Sequence, residues 1–130
     1  MLAFLWIAGT GWIAIFFLAC ASMLPFALRW IRPGNAAQIG GMRVHYVLGF
    51  AIPAFAMLHS LSTMSRLQNI SATGIWLATF ALVALVAQVM LGTELRAPPW
   101  GQPRALRRWH LLIMIAATGL IAGHVVLDHV

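Results

Sequence analysis

No charged side chain occurs before Arg29. An uncharged run of that length constrains the chain more than any other feature, because the ~30 Å hydrocarbon core of a bilayer takes about 20 helical residues to cross. Three further apolar runs follow, at 42–66, 72–93 and 104–129, with their charges confined to their ends. Backbone in lipid must satisfy its own hydrogen bonds, so each run is expected to be a helix. With the first helix at 2–30 and short connections between all four, the expected fold is all-α. It is an integral membrane antiparallel four-helix bundle, with residues 1–130 as one transmembrane domain.

Composition agrees. The chain is 62% hydrophobic and 8% charged, against about a quarter charged in soluble domains. Its mean hydropathy is +0.92. Four spans within 130 residues leave no room among them for a flavin or nucleotide domain. The lone Cys20 excludes an internal disulfide and a cysteine-based metal cluster. The net charge of +6 comes from eight Arg and no Lys. In so apolar a chain that charge points to lipid topology rather than to nucleic acid. The first run lacks a basic leader segment and is read as a retained helix.

Arginine placement sets the expected orientation. Arg29, Arg32 and Arg43 flank the first connection, and Arg96, Arg104, Arg107 and Arg108 flank the third. The opposite side carries Arg66. The positive-inside rule then puts connections one and three in the cytoplasm and both termini outside, in what is expected to be a bacterial inner membrane. Trp30, Tyr46, Trp100 and Trp109 lie on the basic side, where interfacial aromatics belong.

Histidine carries the chemistry. His45 and His59 lie on the second helix and His110 and His124 on the fourth, each pair fourteen residues apart. Fourteen residues are about four turns, so each pair shares one face and is separated by roughly 21 Å. In an up-down bundle these two helices run the same way. His45 and His110 then share one depth, and His59 and His124 another. Two imidazoles at each of two levels describe two bis-histidine sites stacked between helices two and four. Zinc asks for three or four protein ligands; a heme asks for two axial ones. No Cys-x-x-Cys-His occurs, so two noncovalent b-type hemes are expected. A proton relay along the four histidines is the competing reading, and it does not require equal spacing on both helices. Intramembrane His serving only as a hydrogen-bond donor between helices is the structural one.

A shift of 65 residues maps Arg43, His45 and His59 onto Arg108, His110 and His124, and Pro33 onto Pro98. It suggests two similar hairpins with the hemes between them. Gly49 lies one turn beyond His45, and Gly119 and Gly123 precede His124. Two readings of these glycines stand side by side: close helix packing, and room for a flat macrocycle. Arg43 and Arg108 each precede a histidine by two residues, as partners for heme propionates or as interfacial anchors. His129 is read as a terminal residue, and Gln88 and Cys20 as packing.

His45-Tyr-Val-Leu-Gly49 followed by His59, and Arg108-Trp109-His110 followed by His124, resemble the heme core of ferric reductase-like transmembrane domains. The same residues are similar to the four-helix heme core of cytochrome b from quinol-oxidising complexes. The resemblance covers helices two and four, about 50 residues. It implies one-electron transfer across the bilayer by a diheme b-type cytochrome, with quinone or a redox protein as partner. It also implies His45 and His110 on the outer side, opposite to the arginine rule. Ferric reductases add further helices and a flavin domain, which these residues do not contain. Two other functions fit the same ligands: an oxidoreductase acting on quinone or superoxide at a heme edge, and an assembly subunit whose hemes only stabilise the bundle.

Overall fold

The computed structural model describes residues 2–31, 35–64, 71–96 and 103–129, and the side chains of 9–30, 42–64, 71–96 and 104–127. Four helices make up these segments: α1 (Leu2–Ile31), α2 (Asn35–Thr63), α3 (Ala72–Arg96) and α4 (Pro103–His129). No strand occurs among the described residues. The chain divides into two compact units, Met1–Leu61 and Ser62–Val130. The first is the α1–α2 hairpin and the second the α3–α4 hairpin.

Helix α2 starts at Asn35, seven residues before the expected Met42. Gly40-Gly41 does not end it. Each glycine costs a helix about 1 kcal/mol, but Ala36, Ala37 and Gln38 before the pair favour helix. Helix α3 likewise runs past the expected residue 93 to Arg96. Its start falls where expected, because Ser71 caps it. The Ser71 Oγ accepts the Gly74 N–H at 3.0 Å, and the Ser71 carbonyl accepts the Ile75 N–H at 3.1 Å.

In the first hairpin the buried stripe of α1 is Thr10, Ala14, Leu18 and Ala21, with Ile52 buried on α2. Phe17 and Phe55 meet edge-on across the hairpin, with ring centroids 5.5 Å apart. In the second hairpin Gly74, Ala81 and Leu85 are buried on α3, and Ala117 is fully buried on α4. Gly123 of α4 packs against Leu77, whose Cδ1 would stand 3.4 Å from an added Cβ. Small residues line these seams because, without a hydrophobic drive between helices in lipid, close backbone approach supplies the van der Waals contact. Hydroxyls within the spans turn back on their own helix: Ser22 on the Leu18 carbonyl, Ser60 on Ala56 and Thr118 on Met114.

The outer faces are apolar. Phe16, Val47, Trp76 and Val83 are all more than half exposed. Each helix contains a span of at least 22 residues long and apolar enough to cross a membrane, and no more than 17% of any span is buried inside the protein. Exposed apolar surface on that scale suits hydrocarbon rather than water. The described arginines Arg29, Arg43, Arg96, Arg104, Arg107 and Arg108 are exposed at the turn ends of their hairpins. Arg32, Arg66, Trp100 and the Pro33–Pro98 match lie outside the described residues.

Ala117 is 0% exposed, so a larger side chain there has no free side to occupy. Ala117→Leu is expected to destabilise the protein by about 1–3 kcal/mol through overpacking, read as a lower unfolding midpoint in mixed micelles. An unchanged midpoint would show that the α3–α4 seam yields.

Candidate cofactor site

All four span histidines are part-buried, and each faces the other helix of its own hairpin. On α2, the His45 Nδ1 lies 3.0 Å from the Ala21 carbonyl oxygen of α1. A carbonyl only accepts, so Nδ1 must carry the proton and donate. On α4, the His124 Nδ1 donates in the same way to the Gly74 carbonyl of α3 at 3.1 Å. The other two rings lie against glycine. A Cβ added to Gly11 of α1 would stand 3.0 Å from the His59 Nδ1 and 3.1 Å from its Cε1. A Cβ added to Gly92 of α3 would stand 3.5 Å from the His110 Cε1.

Each hairpin therefore holds one carbonyl-bound imidazole and one glycine-backed imidazole, in opposite order. In the α1–α2 hairpin the carbonyl-bound ring, His45, is nearer the turn. In the α3–α4 hairpin it is His124, near the open end. The contact points are ten residues apart on α1 (Gly11 and Ala21) and eighteen on α3 (Gly74 and Gly92), so the two halves are not strict copies around the histidines.

Two of the four rings have the donor arrangement that an imidazole ligand to a heme uses. A ligating histidine usually gives its second ring N–H to a carbonyl, which fixes the tautomer and makes the other nitrogen more basic. His45 and His124 have that arrangement, with the lone pair on Nε2. Among the described residues no three of His, Cys, Asp and Glu gather in a way that could hold a bare metal ion. The glycines separate by role. Gly123 serves helix packing, whereas a Cβ on Gly49 or Gly119 would meet nothing within 4 Å. These two therefore make no close helix contact within their hairpins, leaving space beside the backbone.

Arg43 and Arg108 are exposed. Beside Arg43, the His45 and Tyr46 rings make an edge contact with centroids 6.2 Å apart. Gln88, read as packing, is only part-buried, but its Oε1 is buried without a hydrogen-bond partner among the described residues. Cys20 is a part-buried free thiol. The side chains of Asp128 and His129 lie outside those described. Sequence reasoning missed Gly11, Ala21, Gly74 and Gly92, the residues the histidines touch. The glycines were visible, but which of them faces an imidazole depends on the register between helices.

The chain matches no family model, no curated protein and no solved structure.

Gly11→Ala is expected to push the His59 ring by a few tenths of an ångström, because a 3.0 Å approach is too tight. Gly92→Ala, at 3.5 Å, is expected to leave His110 in place. Histidine ring NMR signals of the two variants check this. Equal shifts in both would contradict the difference in spacing.

Proposed function

We propose that the chain is a membrane-embedded diheme b-type cytochrome that carries single electrons across the bilayer. The observation that carries this reading is the pair of fourteen-residue histidine spacings on α2 and α4, with every ring facing a neighbouring helix. When bound, heme b would supply reversible one-electron chemistry, and the four histidines would hold it. In this proposal His45 and His110 hold one heme and His59 and His124 the other. Each level then combines one carbonyl-bound imidazole with one glycine-backed imidazole.

The residues divide the work. His45 and His124 present Nε2 from rings anchored through Nδ1. His59 gains room to lie close to α1 from Gly11, and His110 lies in ordinary van der Waals reach of Gly92. Gly49 and Gly119 keep side chains away from where a flat ring would pass. Arg43 and Arg108, each two residues before a histidine, would pair with propionates. The apolar outer faces keep the hairpins in lipid, and the arginines at their turn ends favour a cytoplasmic position for those ends. The likeness of His45 to Gly49 and of Arg108 to His110 to ferric reductase-like and cytochrome b heme cores supports the same reading.

Quantitation after acid–acetone extraction is expected to approach two hemes per chain. His45→Ala and His110→Ala should remove one spectral species, and His59→Ala and His124→Ala the other. Loss of the same species from His45→Ala and His124→Ala would overturn the pairing. A single heme, or none, would overturn the function.

The two potentials should differ. Arg43, Arg107 and Arg108 lie near His45 and His110 in sequence, and Asp128 lies one turn beyond His124. Positive charge favours the added electron, by tens of millivolts after solvent screening as an order of magnitude. The His45/His110 heme is expected to have the higher midpoint potential. Titration of variants that keep one heme checks the order, and a reversed order would show that burial outweighs the arginines.

A further inference from the structure

Helix α1 runs through Pro25. Proline has no N–H, so the carbonyl four residues earlier loses its helical donor, and the ring crowds that carbonyl aside. Here that carbonyl belongs to Ala21, the group 3.0 Å from the His45 Nδ1. Ala21 is 5% exposed, so solvent does not serve it. In a membrane span, a neighbouring helix is one of the sources that satisfy a carbonyl freed by proline. His45, on α2, is in position to do so.

We propose that Pro25 is a positioning residue for His45. By withdrawing its own N–H, it leaves the Ala21 carbonyl to the imidazole. The ring is then fixed with its proton on Nδ1 and its lone pair on Nε2, the nitrogen that coordinates. The coordinating role rests on the cytochrome reading; the hold of Pro25 on the ring does not. The second hairpin supplies an internal control. The residue four positions after Gly74 is Ala78, which has an N–H, so the Gly74 carbonyl that accepts His124 owes nothing to a proline.

The test is hydrogen exchange at the ring nitrogens. The full chain, labelled with 15N-histidine, is purified in micelles and kept reduced, so that any bis-histidine iron is diamagnetic. A protected Nδ1–H is expected at His45. In Pro25→Ala a backbone N–H at position 25 competes for the carbonyl. Exchange of the His45 Nδ1–H is then expected to accelerate roughly threefold, the equilibrium equivalent of one interhelical hydrogen bond in a membrane. Exchange at His124 should not change. Pro25→Leu restores the same N–H with a different side chain and takes the place of the alanine variant if that one does not fold. Absence of a protected Nδ1–H at His45, or unchanged exchange in both variants, overturns the proposal. Heme content of the same samples separates the two claims. Two hemes with unmoved exchange overturn the positioning role alone. No heme with accelerated exchange upholds the hold of Pro25 on the ring and removes the cytochrome.

Discussion

Inside hydrocarbon a polar hydrogen can be satisfied only by another protein atom, and the structure follows from that constraint. It makes all the described spans helical. It turns Ser22, Ser60 and Thr118 back onto their own backbones. It also sends the Nδ1–H of His45 and of His124 across to a carbonyl on the neighbouring helix. Such interhelical bonds contribute only ~0.6 kcal/mol on average, and at most about 1.7. Their importance here is direction rather than stability, because a bond to a carbonyl specifies which ring nitrogen holds the proton.

The two hairpins meet the same need by different means. A carbonyl anchors one histidine in each, and the other lies against a glycine. Glycine thus acts in two ways. At Gly11 it admits a ring edge to the helix surface that a side chain would displace, and at Gly74 it offers a carbonyl near the start of α3. Alanine does the rest of the spacing, at Ala14, Ala21, Ala81 and Ala117, all buried.

Much of this was legible in the sequence. The apolar runs defined four spans, and apart from the start of α2 the described helix limits lie close to the expected ones. The start of α3 fell where the apolar run begins, and the Ser71 cap that fixes it there is a local contact. The start of α2 was misjudged, because Gly40-Gly41 weakens a helix without ending one when helix-favouring residues precede it. The histidine spacing was visible because helical periodicity is local. The partners of the histidines were not, since Ala21 and Gly11 are set by how α1 slides along α2, a register that packing decides. The 65-residue repeat predicts equivalent partners in both halves, yet the contact points are ten residues apart in one and eighteen in the other.

The confinement of these contacts bears on how the protein is made. The described contacts of His45 and His59 with α1 lie within Met1–Leu61, and those of His110 and His124 with α3 lie within Ser62–Val130. Chains are synthesised from the N-terminus, and early units fold as they emerge. The described contacts of both imidazoles of the first hairpin are complete before the second has been translated. Insertion into the bilayer can thus proceed pairwise, with each hairpin arriving with its imidazoles already oriented by its own helices.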